Sequence, residues 1–488
     1  AIADRDKERV EGGTGGYDFT ALASYFGRVD YNFDERYMMQ LTLRRDGSSK
    51  FGPNHKWATF PAVSMGWNVL NEPYINRPEW FDSFKVRFSW GKNGNENIGN
   101  FRYASLMAGG QNYYFGGGYD VATDSKDGTM IYGTSPSNIP NPNIKWEESE
   151  QTDLGFDARF LDGALSLSFD YFVKKTNGML MDQPIPSYVG QSAPMANVGD
   201  MKNSGIEFEI GWRHHIQDFN YNITANASYL KNELVKLGNA SGEAIYESNA
   251  TSGLGSFIKG KNGEVWPYFY GYKTAGIFQN WDEVNNYVNA DGKIMQPNAQ
   301  PGDVRFVDHN GDGVIDDNDK TKIGKGMPDW TFGLSIGADW RGLDFNMFWQ
   351  GAAGNDIFDL STRGDIPAMN RPAEMMDRWH GEGTSNSIPR MTTANPNSNW
   401  RSSDLFIKNG SYIRLKTVQL GYTLPKVWTK KAFIEKLRVY VSAENLLTIT
   451  NHKGFDPEIA TGSYDRIGVD RGIYPQSRTV SVGANISF

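Results

Sequence analysis

The sequence predicts an all-β protein: an antiparallel transmembrane β-barrel segment with short periplasmic turns on one rim and long extracellular loops on the other. Three observations carry this. Apolar and polar residues alternate with period two from end to end, while helical periodicity is nearly absent. Mean hydropathy is -0.55 and no long uncharged apolar run occurs. That excludes membrane-spanning helices but not barrel strands, whose two faces average out as hydrophilic. Short and long connections alternate along the chain, as an antiparallel sheet with one turn-bearing rim and one loop-bearing rim requires.

The alternation marks about thirteen strands, with ends uncertain by ~2–4 residues. They fall near 20–33, 37–46, 58–70, 84–92, 151–160, 164–175, 203–213, 220–230, 331–340, 344–350, 411–423, 437–447 and 478–488. In the last, Val480, Val482, Ala484, Ile486 and Phe488 oppose Thr479, Ser481, Gly483, Asn485 and Ser487. Over 331–340, Phe332, Leu334, Ile336, Ala338 and Trp340 oppose Thr331, Gly333, Ser335, Gly337 and Asp339. Over 411–423 the apolar face passes from Ile413 and Leu415 to Val418, Leu420 and Tyr422, which predicts a bulge near Thr417. Short links at 34–36, 71–83, 161–163, 214–219, 341–343 and 424–436 alternate with longer ones at 47–57, 93–150, 176–202, 231–330, 351–410 and 448–477. Tyr37, Trp67, Trp90, Tyr171, Trp212, Tyr221, Tyr229 and Trp340 stand at strand ends, where amphipathic rings form girdles at the lipid headgroups. A soluble β-sandwich has no reason to sort its loops in this way.

Composition removes other classes. Lys and Arg number 49 against 57 Asp and Glu, a net charge of -8, so a nucleic-acid binder, which must neutralise phosphates, is excluded. Absence of cysteine removes disulfides, thiolate metal sites and cysteine nucleophiles. The chain begins at Ala1 without the basic and apolar pattern of a signal peptide, so it is expected to be processed or part of something longer.

One local motif carries chemistry. Asp308-His309-Asn310-Gly311-Asp312-Gly313-Val314-Ile315-Asp316-Asp317-Asn318-Asp319 has the spacing of an EF-hand-like calcium loop, with glycine at the sixth position and an apolar residue at the eighth. Asp308, Asn310, Asp312 and Asp319 are the predicted direct ligands, Val314 through its carbonyl and Asp316 directly or through water. Ca2+ there would brace the long 231–330 extracellular loop, and its charge would offset the repulsion among the carboxylates. Asp319 is shorter than the usual glutamate, which weakens bidentate closure. The competing reading is an Asp/Asn/Gly-rich loop that binds nothing.

Other candidates read as structure. His214 and His215 are adjacent in a short turn and do not face one ion. The glycine-rich run 91–100 follows a strand without a helix behind it, so it is no phosphate cradle. Glu147 and Glu148, or Glu207 and Glu209, lack the environment of a catalytic acid/base pair, and no enzyme is expected. The loop aromatics Tyr113, Tyr114, Phe115, Trp266, Tyr268, Phe269, Tyr270 and Trp400 can stack on sugars or hold peptide side chains, but packing within the loops is the commoner role.

The chain resembles the C-terminal barrel half of SusC/RagA-type TonB-dependent transporters of the Bacteroidetes outer membrane. The resemblance rests on RRDGSSKFG (Arg44 to Gly52), FPAVSMGW (Phe60 to Trp67), NPNIKWEES (Asn141 to Ser149) and NVGDMKNSGIEFEI (Asn197 to Ile210). It continues through GDVRFVDHNGDGVIDDNDK (Gly302 to Lys320), NGSYIRLKTVQLGYTLP (Asn409 to Pro425), AENLLTIT (Ala443 to Thr450) and GFDPE (Gly454 to Glu458). The alternating terminal strand ending in Phe488 is similar to the C-terminal insertion signal of outer-membrane barrels.

The resemblance implies a barrel of about 22 strands, with a plug and the early strands on sequence ahead of this region. It further implies TonB-dependent active import of oligosaccharides or oligopeptides, with a SusD-like lipoprotein closing the outer mouth and contact with outer-membrane lipid. It leaves open the cargo and whether transporter–lid pairs dimerise. A secreted calcium-binding β-protein that binds carbohydrate, or a passive porin, are the alternatives.

Overall fold

In the computed structural model, thirteen strands hydrogen-bond in chain order into one antiparallel sheet. Residues 19–488 are described, apart from 106, 110–112, 116–118, 121–124, 127–128, 132, 137, 184, 186, 240, 247–253, 362–369 and 460–465. The strands are β1 (Leu22–Phe33), β2 (Tyr37–Ser48), β3 (Trp57–Asn68), β4 (Phe81–Asn95), β5 (Glu147–Phe160), β6 (Leu165–Asp182) and β7 (Met195–Ile216). They continue as β8 (Phe219–Leu237), β9 (Trp330–Trp340), β10 (Leu343–Ala353), β11 (Tyr412–Thr423), β12 (Lys436–Thr450) and β13 (Thr479–Ser487). Every strand read from the alternation is present. No described helix is long and apolar enough to cross a membrane.

Register aligns the apolar faces into continuous rows. Tyr31, Met39, Met65, Phe88, Leu154, Tyr171, Ile206, Tyr229 and Trp330 are successive cross-strand partners from β1 to β9. A one-residue slip in any strand would turn its whole apolar set into the lumen, so this pattern specifies register as well as fold. The opposite face is polar: Asp30, Gln40, Ser64, Ser89 and Asp153 form one row.

Aromatic rings gather at the turn rim. Tyr37 stacks on Trp67 at 6.5 Å, Trp80, Phe81 and Phe160 form a stack, and the Trp212 indole N–H donates to the Tyr221 hydroxyl at 3.2 Å. At the other rim Tyr229 lies 5.1 Å from Trp330. These are the two girdles expected at the headgroup levels.

Backbone conformation sets the turns. Arg341 and Gly342 both have positive φ, 47° and 90°, as a two-residue type I′ hairpin needs. The expected bulge is centred on Lys416, one residue before the predicted position: Trp349 pairs with Leu415 and Phe348 with Thr417, so Lys416 is skipped. On the β12 side the chain absorbs the offset at Asn445, which takes a φ of 51°.

The strand ends on the loop rim differ from the sequence reading. β6, β7 and β8 run well past 175, before 203 and past 230, so the predicted loops 176–202 and 231–330 shrink to 183–194 and 238–329. Length also sorts the links less strictly than expected, since 69–80 on the turn rim is longer than 49–56 on the loop rim. β1 and β13 are the two edges of the open sheet, and β1 is solvent-exposed along its whole length.

Candidate functional site

The polar face of the sheet is held in place by charge pairs that span intervening strands. Arg87 of β4 donates from Nε to Asp157 at 2.8 Å and reaches across β5 to Asp170 of β6 at 2.9 Å. The residue beneath that reach is Gly155, where a Cβ would lie 2.0 Å from the Asp170 carboxylate. Arg438 of β12 likewise crosses β11 to Asp344 of β10, its Nε 2.8 Å from Oδ2, and passes over Gly421. Asp30, Gln40, Ser64, Arg87, Ser89 and Asp153 line a concave stretch of this wall of about 500 Å³. Such a surface suits a hydrated lumen, because charged groups there keep hydrogen-bond partners without facing lipid.

The loop rim is fastened by the motifs that carry the family resemblance. Phe51 is fully buried against Trp146 and Phe60, which joins the first, third and second motifs in one apolar cluster with Ile98 and Ile144. Asn197 accepts the Lys145 N–H at 3.0 Å and donates to the Lys145 carbonyl at 2.8 Å, binding the fourth motif to the third. In the last outer loop, Asp456 and Glu458 of GFDPE pair with Arg414 of β11, and Glu458 also takes Lys416 at 2.7 Å. The spacing of these motifs along the chain gave no sign that they meet in space.

Above the rim, three outer loops fold into one body. Leu254, Phe257, Ile258 and Phe269 from the loop after β8, Phe358, Leu360 and Phe406 from the loop after β10, and Val469 from the last loop share a core. Phe358 is central, stacked 4.2 Å from Phe257 and parallel to Phe406. A parallel strand pair joins Phe358–Asp359 to Val469–Asp470. Asp303, fully buried, accepts from Arg390 at 2.7 Å and from Asn399 at 2.9 Å, so GDVRF is tied to a segment almost ninety positions later. Between the loops lies a cavity of about 990 Å³ with a polar lining that includes Asp359, Glu374, Asn386, Lys408, Asn451 and Lys453.

Tyr268 and Phe269 are buried in the loop body, Trp266 packs on Met179, Leu234 and Leu237 of β6 and β8, and Trp400 packs against the body's core, so these aromatics serve packing. Tyr113–Phe115 form a short strand paired with Thr129–Ile131, and their side chains lie outside the described residues. His214 and His215 sit at the exposed end of β7, and Glu147 is spent on Asn95 and the Leu180 N–H.

The acidic loop 308–319 is wound around its own backbone. Asp308 accepts the N–H groups of Gly311 and Gly313 at 2.7 and 2.8 Å, and Asn310 and Asp312 accept those of Asp312 and Val314. Gly313 takes a φ of 82°, the conformation expected at the sixth position, and Ile315 packs against the Tyr272, Val304 and Phe306 cluster. Asp319 is fully buried and accepts from His309, Asn310 and Asp316, which uses most of its lone-pair capacity within the loop. Asp316 caps the short helical turn 317–319.

Among the described residues no three His, Cys, Asp or Glu side chains form a group that could hold a metal ion. Asp317 instead turns to groups outside the loop, accepting from Lys320 and from Tyr272, and both hold its carboxyl below the usual range. Burial pushes the Tyr272 hydroxyl up to about 12, with Asp317 adding to the effect. The Arg401 guanidinium lies 4.5 Å above Tyr272 and 3.9 Å above Phe306, and burial lowers its pKa.

An open antiparallel sheet with an apolar outer face, a polar inner face and its large loops gathered at one rim defines the wall of an outer-membrane barrel. The family model for TonB dependent receptor-like β-barrels matches residues 8–446, and the chain belongs to that family. It is of the SusC/RagA type and is located in the bacterial outer membrane. TonB-dependent receptor P3 of Formosa agariphila is 34% identical over 96% of the chain, which covers 46% of that relative. TonB-dependent receptor SusC of Bacteroides thetaiotaomicron is 28% identical over 96% of the chain, covering 44% of that protein. The RagAB peptide transporter structure superposes with a TM-score of 0.77 at 26% identity, over 96% of this chain and 47% of that one. The chain therefore spans about half the length of the curated relatives it matches.

Proposed function

We propose that the chain is the barrel half of an active importer of oligomeric nutrients, glycan or peptide, driven through TonB and acting with a SusD-like lipoprotein lid. One observation carries this reading: three outer loops fold into a single body with a large polar cavity, set on the rim of a polar-walled half-barrel. A body with its own core can hold a ligand and a partner in fixed geometry, where separate mobile loops cannot. Oligomers rich in hydroxyl or amide groups match the carboxylates, amides and lysines of that cavity. RagAB, a peptide transporter, supports the peptide branch of this reading. The remaining strands and a plug would come from the rest of a longer parent chain, pairing with the free edges of β1 and β13.

The test is uptake of labelled oligopeptides and oligosaccharides by the source bacterium with and without the parent gene, and with and without TonB. Loss of one class of cargo in both deletions is expected. Uptake that survives TonB deletion, with ohmic conductance of the purified protein, would favour a passive porin. Detergent extraction followed by mass spectrometry should also recover a lipidated partner.

We also propose that Ca2+ braces the loop 308–319, with oxygens of Asp308, Asn310, Asp312, Val314 and Asp316 around it and Asp319 fixing the backbone. In favour of the fit are the glycine at the sixth position in the left-handed region and the apolar anchor Ile315. Metal analysis of protein purified without chelator is the check: roughly one calcium per chain is expected, and a metal-free protein sinks the idea.

A further inference from the structure

The link between β11 and β12 differs from every other connection on the turn rim. Residues 424–435 read LPKVWTKKAFIE, three lysines against one glutamate, in a chain whose net charge is -8. The other turn-rim links, 34–36, 69–80, 161–164, 217–218 and 341–342, each carry at most one net charge. The link folds as a short α-helix, Lys426–Thr429, running into a 3-10 turn, Lys430–Ala432. Its apolar side chains are turned outward: Val427 is 76% exposed, Trp428 64% and Phe433 91%.

Phe433 makes the exposure harder to dismiss. It closes the turn with a φ of 58°, a left-handed position where glycine is unstrained and a bulky residue is not. A large aromatic is thus held, at a backbone cost, in water-accessible space beside a cluster of lysines. The two flanking strands say what lies there. Tyr422 pairs with Val439 and Leu420 with Val441 on the apolar outer face, with Leu420 and Val441 half exposed, and the link continues that face at its periplasmic end. Lys426 is engaged with Glu435 at 3.3 Å; Lys430 and Lys431 have no ion pair among the described residues, while Lys436, two residues before Arg438, shares the lumen-facing side of β12 with it.

We infer that this link is an interfacial anchor for anionic phospholipid in the periplasmic leaflet, with Val427, Trp428 and Phe433 inserted at headgroup level and Lys430 and Lys431 on the phosphates. Aromatic and aliphatic side chains with lysines on one short amphipathic element are what a bilayer interface retains, and each lysine near an anionic surface multiplies local lipid occupancy about fivefold. The anchor fixes the depth of the barrel at the β11–β12 hairpin.

The test uses the parent transporter in nanodiscs of phosphatidylethanolamine containing an equal mole fraction of either brominated phosphatidylglycerol or brominated phosphatidylethanolamine. The fluorescence lost in Trp428→Phe isolates the Trp428 signal. The expected result is quenching of that signal by both lipids, several-fold more by the phosphatidylglycerol. Lys430→Gln/Lys431→Gln should erase the preference while quenching persists. Absence of bromine quenching overturns the anchor and assigns the patch to a protein surface or to water; equal quenching in the wild type overturns the anionic selectivity. Phosphatidylglycerol retained by the wild type in native mass spectrometry, and lost in the double variant, reads the same interaction without the tryptophan substitution.

Discussion

Arg414 of β11 and Asp456 of the last outer loop are buried against one another, their side chains 3% and 5% exposed. Asp456 also accepts the N–H groups of Glu458 and Gln476, so the pair fixes both the loop's path and its attachment to the barrel. Removing Asp456 leaves the buried Arg414 with Glu458 as its one carboxylate partner and takes the acceptor from the Glu458 and Gln476 N–H groups. Asp456→Ala is therefore expected to cost about 3–5 kcal/mol. Thermal unfolding of the detergent-solubilised transporter would show it, and Arg414→Ala combined with Asp456→Ala should cost less than the sum of the two.

Arg438 and Asp344 show a different use of glycine. A Cβ at Gly421 would lie 2.5 Å from the guanidinium and 2.5 Å from the carboxylate, because the ion pair passes directly over that residue. Gly421→Val is expected to displace the pair and destabilise the barrel by about 1–3 kcal/mol. In an Arg438→Ala/Asp344→Ala background the same substitution should cost a fraction of that, which a melting series of the four proteins would reveal.

Alternation made the membrane-spanning part of this fold legible, because lipid on one side and water on the other impose a strict period of two. It failed at the loop-rim extensions of β6, β7 and β8, where Met179, Leu234 and Leu237 are buried together with Trp266 and neither face is uniformly wet. Register shifts at Thr176 and Met179 break the period there as well. The bulge was readable from the phase change between Leu415 and Val418, though not its residue, since only the partner strands show that Lys416 is skipped. The outer-loop body was not readable: Thr274 with Asp404, or Asp303 with Arg390, are contacts between distant segments that no local pattern encodes. The acidic loop was legible as a motif because its chemistry is local, down to the glycine conformation at Gly313.

Phe358 gives a test of whether the loops form one cooperative unit. It contacts Phe257, Phe269 and Phe406, which arrive from both sides of β9 and β10. Phe358→Ala should remove about 3–5 kcal/mol from the body. Hydrogen exchange is expected to quicken together in Ile258–Lys261, Tyr268–Gly271 and Ile407–Asn409 while β9 and β10 keep their protection. Quickening confined to Asp356–Asp359 would mean that the loops are energetically separate.

Glu243 sets a pH dependence on the same body. Its carboxylate takes Lys259 at 2.8 Å and Lys261 at 3.2 Å across the paired strands Glu243–Tyr246 and Ile258–Lys261. The Lys259 hydrogen bond, ahead of the opposing effect of burial, holds the acid below its ordinary 4.5, and Lys261 adds to the lowering. A depressed folded-state pKa stabilises the folded hairpin fully above the unfolded value and is lost as pH falls through the folded one. Hydrogen-exchange protection of these strands, corrected for intrinsic rates, should accordingly stay level above pH 4.5 and decline below it. Glu243→Gln should lower the plateau and flatten the decline, because a neutral amide keeps a hydrogen bond to Lys259 but has no proton to gain; a decline of unchanged depth in that variant would place the titrating group elsewhere.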